Sequence, residues 1–414
     1  MLRTIFYLGG VQLANLLLPL IMLPFLSRKL GPTSLGQLVA VQSLFITLSM
    51  IVEYGFAFSG TRTLSTIRSD IDRSSRLVAD VLGAKIILSV IYIFIAILIY
   101  FTAPVFNEHP SLYFLGVIFG IVQGINPLWF FQGVEKLKAY SLMDISGRLL
   151  GFVLTLLYIR QPGDNWKVLM FQSLGFFLSL SLSYGFMYRI TRFVVPDFKG
   201  SLLALNDGKS MFIYKIIVSI YTTLNSTILR FFVPAAQVAY YSNADRIASA
   251  GKGAIGPITQ VVFPRIAFLL PGDRKAAKDL FLRTLVLMAI LCLFIAGFLY
   301  ITSDWLVVKF LGKEFFGSVP AFKILCWSIP FVGISAAIGF TWLIPNSQDN
   351  IFNTIILIGA ISNVLSLFYF IPHFGYIGMA WGVLLTEIII TLSLISYTFF
   401  IFEPNQYRLK ENYD

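Results

Sequence analysis

Thr284-Leu285-Val286-Leu287-Met288-Ala289-Ile290-Leu291-Cys292-Leu293-Phe294-Ile295-Ala296-Gly297-Phe298-Leu299-Tyr300-Ile301-Thr302-Ser303 runs without a single charged side chain. A helix needs about 20 mostly apolar residues to cross the hydrocarbon core of a bilayer. Stretches of this kind recur from one end of the chain to the other. Apolar windows place spans near 5–27, 35–58, 78–103, 111–133, 141–160, 168–190, 211–233, 238–268, 281–303, 320–344, 351–371 and 374–402. The chain is 57% hydrophobic and 12% charged, against roughly 25% charge in a soluble domain. No water-soluble core could hide this much apolar surface, and little chain is left for a soluble domain. The expectation is an all-α integral membrane protein of about twelve transmembrane helices.

The stretch 238–268 is the most polar of these spans, with Asp245, Arg246, Lys252 and Arg265. It is kept because apolar residues continue through it and an even count fits the loop charges. The first apolar run is too long for a signal-peptide core and lacks a small-residue cleavage site, so it reads as a retained span. The net charge of +11 would point to nucleic acid in a soluble chain. Here the basic residues are spread over loops, so no nucleic-acid partner is expected. The gaps 59–77, 134–140, 191–210 and 269–283 are rich in Lys and Arg, whereas alternate gaps carry fewer, 304–323 excepted. That bias places both termini in the cytoplasm. It also suggests two halves of six spans, 1–195 and 196–414, as parallel repeats. Arg28 and Pro32 after span one match Arg230 and Pro234 after span seven in spacing.

Proline within spans, at Pro19, Pro24, Pro127, Pro257, Pro264 and Pro330, removes backbone donors and favours bends. Gly116, Gly120 and Gly124, and Gly147 and Gly151, put small residues on one helical face, as close helix packing in membranes requires. Cys292 and Cys326 lie in apolar stretches, and His109 and His373 sit in short loops without ligand spacing. No disulfide framework or metal site is indicated. A Walker loop, a nucleophile elbow, a zinc helix and a dinucleotide fingerprint are all missing. The chain is therefore expected to be a non-enzyme without ATPase activity and without a resident cofactor. Transport would draw on a proton or sodium gradient, a lipid gradient, or equilibration.

Charges inside spans are costly unless they face protein or water, so they are functional candidates by default. The basic set is Lys85, Arg148, Lys215, Arg230, Arg246, Lys252 and Arg265, and the acidic set is Glu53, Asp80, Asp144, Asp245 and Glu387. The positive excess would attract a phosphate or pyrophosphate. Each has a plainer reading. Arg230, Arg265 and Lys215 lie near span ends and can snorkel. Asp144 and Arg148 are four apart and can pair with each other. Lys85, one or two turns inside, fits either role. Arg246 and Lys252 are the strongest anion-binding candidates, because no carboxylate lies one helical turn from Lys252 and small residues surround it. Asp245, Glu387 and Asp144 are the candidates for ion coupling or charge pairing.

Several stretches resemble one known family. Asn15–Pro19 running into Leu23–Pro32, the block Tyr54–Arg62, Pro127-Leu128-Trp129-Phe130-Phe131-Gln132-Gly133-Val134-Glu135-Lys136-Leu137-Lys138, and Tyr240–Arg246 with Phe263-Pro264-Arg265 are similar to bacterial polysaccharide-unit flippases. These form the O-antigen (Wzx-type) translocase group of the MOP exporter superfamily. The resemblance implies two six-helix bundles around a central cavity, in a bacterial inner membrane. It implies an undecaprenyl-pyrophosphate-linked oligosaccharide flipped outward, with an O-antigen polymerase and a chain-length regulator downstream. Two alternatives stand beside it. A cation-coupled drug-type antiporter on the same fold would show an acidic interior. A membrane-bound sugar polymerase or ligase would show a large outer catalytic loop, which the gap 304–319 is too short to be.

Overall fold

The structure, a computed structural model, describes the backbone of residues 2–402. Side chains are described for 18 and for 20–400, apart from 210, 213–215 and 217–222. Among the described residues every regular element is helical. By packing, the chain divides into two compact units, Met1–Val238 and Ala239–Asp414.

The first unit holds α1 (Leu2–Glu53), α2 (Ser59–Ile67), α3 (Ile71–Thr102), α4 (Pro104–Asn107) and α5 (Pro110–Gly124). It continues through α6 (Leu128–Gly133), α7 (Leu137–Tyr158), α8 (Asn165–Met187), α9 (Phe198–Thr222) and α10 (Asn225–Phe232). The second unit is built from α11 (Ala235–Lys252), which begins at the division, α12 (Ile255–Leu269) and α13 (Arg274–Phe310). It is completed by α14 (Ser318–Cys326), α15 (Ser328–Ile338) and α16 (Asp349–Ser396).

Among the described residues, eight helical stretches are long and apolar enough to cross a membrane: Leu20–Glu53, Ile71–Thr102, Pro110–Gly133, Leu137–Tyr158, Pro162–Met187, Arg274–Phe310, Ser318–Leu343 and Asp349–Phe400. The chain is a multi-pass membrane protein. Two of the long helices are interrupted, α1 at Gly31 with φ 68° and α16 at Gly375 with φ 57°. Both angles lie in the left-handed region that glycine adopts without a Cβ penalty. The first interruption falls between expected spans one and two, and the second at the start of expected span twelve. Expected span one, 5–27, mostly crosses residues whose side chains lie outside the described set.

Four expected spans are not single helices, and one of them, 320–344, is α14 and α15, parted at Trp327. The stretch 111–133 is α5 and α6, parted before Pro127, which cannot donate to the helical ladder. The stretch 211–233 is α9 and α10. The stretch 238–268 is α11 and α12, parted by a turn in which Gly253 N donates to Ala250 O at 3.1 Å. Pro330 falls in the first turn of α15, where its missing donor costs nothing.

The packing division falls later than the 195/196 boundary read from loop charge. The seventh helical pass packs with the first unit, α9 on α3 and α10 on α1. Thr227 Oγ1 donates to Ala40 O at 3.2 Å, and Ser43 Oγ donates to Thr223 O at 2.6 Å. The six-and-six division counts passes rather than contacts.

Each unit has its own apolar core. In the first, Trp129, Phe130, Phe131 and Tyr140 pack with Phe56, Leu64, Val78, Leu88 and Met187. In the second, Phe281 stacks on Trp342 at 4.8 Å between ring centres, amid Ile338, Leu343 and Phe352. The two glycine rows are packing faces. A Cβ on Gly147 would run into the carbonyl of Gly175, and one on Gly175 into that of Gly147, so α7 and α8 meet backbone to backbone. Gly116, Gly120 and Gly124 lie against Phe45, Ser49 and Val52 of α1.

Candidate functional site

Charge inside the membrane helices collects in one cluster per unit. In the second unit, α11 carries Asp245, Arg246 and Lys252, and α16 carries Glu387. Asp245 and Lys252 are seven residues apart, nearly two turns, and so share a face of α11. Lys252 exerts its field on both Asp245 and Glu387, and Arg246 acts on Asp245. All four side chains are part-buried. The local balance is therefore two cations against two carboxylates. The expectation that Lys252 has no carboxylate one turn away holds on its own helix. The carboxylates come instead from two turns back and from α16. Of the small residues around Lys252, Ala248 is buried, and Gly251 packs against Ile295, Leu299 and Ile329. Ser249, Gly253 and Gly256 remain exposed.

In the first unit, Lys85 is 2% exposed, and its Nζ donates to Gly124 O at 2.9 Å and Asn126 O at 2.8 Å. These carbonyls close the C-terminal end of α5, where their helical donors are turned elsewhere, Leu128 N to Asn126 Oδ1 and Phe130 N to Pro127 O. A second shell of polar groups braces the same break. Tyr140 Oη and the Asn126 amide bond each other at 2.6 and 2.9 Å. Leu128 N donates to Asn126 Oδ1 at 2.8 Å, and Tyr184 Oη donates to Ile125 O at 2.8 Å. One turn from Tyr140, Asp144 accepts from Arg148 Nε at 2.8 Å, as the i, i+4 spacing suggested. The Arg148 guanidinium also lies over the Phe176 ring at 5.4 Å, a favourable cation–π position. The second oxygen of Asp144 is buried without a hydrogen-bond partner.

Lys215 lies in α9, but its side chain is outside the described residues. Arg230 is not simply at an interface: its Nη2 pairs with Glu108 at 2.9 Å, across 122 residues of sequence. Arg265 is exposed. The structure thus gathers Asp245, Arg246, Lys252 and Glu387 in one unit. It gathers Lys85, Asp144 and Arg148 near one another's supporting groups in the other. Sequence reasoning missed Asn126, Tyr140 and Tyr184. The signal for them was present in Asn126-Pro127, an amide beside a residue that orphans carbonyls.

Residues 1–269 match the family model described as "Polysaccharide biosynthesis protein". The chain belongs to this family. A curated relative from Shigella dysenteriae, named "Putative O-antigen transporter", is 27% identical over 95% of this chain and 98% of its own. One of the same name from Escherichia coli (strain K12) is 26% identical over 95% and 96%. Two solved structures share the fold at 14% identity. An inward-facing multidrug resistance MATE family transporter of the MOP superfamily gives a TM-score of 0.70 over 92% of both chains. The lipid II flippase MurJ, inward closed, gives 0.68 over 96% of this chain and 87% of its own. The family that the motifs resembled is thereby borne out, and the two solved structures bear out the all-α membrane fold.

Proposed function

We propose that this protein flips an undecaprenyl-pyrophosphate-linked oligosaccharide, an O-antigen repeat unit or a close analogue, from the cytoplasmic to the periplasmic leaflet of a bacterial inner membrane. The observation that carries this reading is the near-complete overlap with O-antigen transporters, 95–98% of each chain. Both termini are cytoplasmic in this reading, and 1–195 and 196–414 each contribute six passes to an alternating-access cycle. An O-antigen polymerase and a chain-length regulator would take up the product.

Arg246 and Lys252 are assigned to the pyrophosphate, with Lys215 and Arg148 as further cationic contacts. Lys85 is a weaker candidate for substrate, since its ammonium already serves two carbonyls. Because the charge of Lys252 acts on both Glu387 and Asp245, an arriving pyrophosphate would compete with carboxylates for the same cations. A proton or sodium ion taken up by a displaced carboxylate, or by Asp144, would couple binding to an ion gradient. The carboxylates also lend support to the second reading, a cation-coupled small-molecule antiporter on the same fold.

Deletion of the gene in its own host separates the two. Lipid-linked oligosaccharide that accumulates, reachable only from the cytoplasmic side, is the expected result. Unchanged surface polymer in a host with no redundant flippase would refute the first reading.

A further inference from the structure

Residues 188–197 connect α8 to α9 without regular helix. This strap is pinned along the start of α3. Arg192 N donates to Ser75 Oγ at 2.8 Å, and its guanidinium pairs with Asp72 at 3.0 Å. Arg76 reaches both Asp80 at 3.4 Å and Asp197 at 3.2 Å. The pinning leaves the large apolar side chains outward: Phe193 and Val195 are each 72% exposed, and Phe198 is 68% exposed. Ile71, at the start of α3, is also exposed. Arg189, Arg192 and Lys199 are exposed among them.

Two placements fail on physical grounds. Lipid-exposed irregular backbone does not occur within the hydrocarbon core, because its N–H and C=O groups find no partners there. Bulk water is no better, since a contiguous patch of large apolar side chains is costly to hydrate. The boundary between acyl chains and headgroups satisfies both halves of the strap. There water and headgroups serve the backbone, while the rings enter the acyl layer. The rim of cations selects the sign of the headgroup, because Lys and Arg near a bilayer surface draw anionic lipid.

We infer that residues 188–199, with the start of α3, form a docking surface for anionic phospholipid. Phe193, Val195 and Phe198 enter the acyl boundary, and Arg189 and Lys199 hold the headgroup phosphates. The lipid thereby grips the entry to α9. The inference rests on the strap alone and stands whether or not the transported substrate is a lipid-linked sugar.

The test uses the full-length protein in vesicles of phosphatidylcholine, with and without phosphatidylglycerol. Cys292 and Cys326 are 1% and 0% exposed, so Phe193→Cys and Phe198→Cys can be spin-labelled selectively. Labels about 5–10 Å into the headgroup–acyl boundary are expected, read as oxygen accessibility over nickel-chelate accessibility. Water-like accessibility at both positions would overturn the docking surface. Photoactivatable phosphatidylglycerol should crosslink to strap peptides in excess over the matching phosphatidylcholine. Arg189→Gln with Lys199→Gln should lower that excess by about fivefold per charge. Equal capture of the two lipids by the unsubstituted protein would overturn the anionic selectivity.

Discussion

Lys85→Met separates a structural ammonium from a substrate-binding one. Methionine keeps most of the side chain's length and apolar body, while the change takes away the two charged hydrogen bonds to Gly124 O at 2.9 Å and Asn126 O at 2.8 Å. Neither carbonyl has an easy replacement donor. Pro127 has no N–H, and Leu128 N is engaged by Asn126 Oδ1. Interhelical hydrogen bonds in membranes contribute about 0.6 kcal/mol on average and about 1.7 at most, because the unfolded chain in lipid also finds partners. Charged donors belong at the upper end. Two such bonds give a loss of about 3 kcal/mol. For a unit of this size, each kcal/mol lowers Tm by about 2–4 °C, so a fall of about 6–12 °C is expected. The assay is thermal unfolding of the purified protein in one detergent, beside surface-polysaccharide output normalised to the amount of folded protein. A variant with wild-type Tm and abolished transport would refute the structural assignment and return Lys85 to the substrate.

Arg246→Ala and Lys252→Ala should each abolish surface polysaccharide while the protein still inserts, as judged by its level in washed membranes. Normal output from both would sink the anion-binding role. Lys252→Met should lower the yield of folded protein because it strips Glu387 and Asp245 of a shared cation. Adding Glu387→Gln should recover the yield without recovering transport, measured by size-exclusion profile and by polymer output. Reversing one charge of the Arg230–Glu108 pair, by Arg230→Glu, should cost about 1 kcal/mol or more, since Arg230 is only 11% exposed. The double reversal with Glu108→Arg should restore Tm.

What was legible in the sequence depended on the distance over which each interaction acts. The spans were legible because about 20 uncharged residues in a row satisfy a bilayer without reference to anything else. The Asp144–Arg148 pair was legible because four residues bring two side chains to one helical face. Glu387 and Lys252 lie 135 positions apart, and nothing local to either names the other. The cluster therefore read as cationic from α11 alone, whereas α16 supplies a balancing carboxylate. Lys85 was open between two roles for the same reason: its partners are carbonyls, which every residue carries, selected here by the Pro127 break. The stretch 238–268 was marked as the most polar span, and it is divided into α11 and α12 at Gly253. Packing of α9 and α10 with the first unit was invisible to loop charge, which reports the side of the membrane and not the neighbours of a helix.

The backbone contact of α7 with α8 has a genetic consequence. Every missense change open to a glycine codon adds a Cβ, and at Gly147 and Gly175 that first carbon already meets the opposing carbonyl. No conservative step exists at either codon. In a saturating library selected for surface polymer, these two positions should return synonymous changes alone, while Gly163 and Gly185, with open space where a Cβ would stand, drift freely.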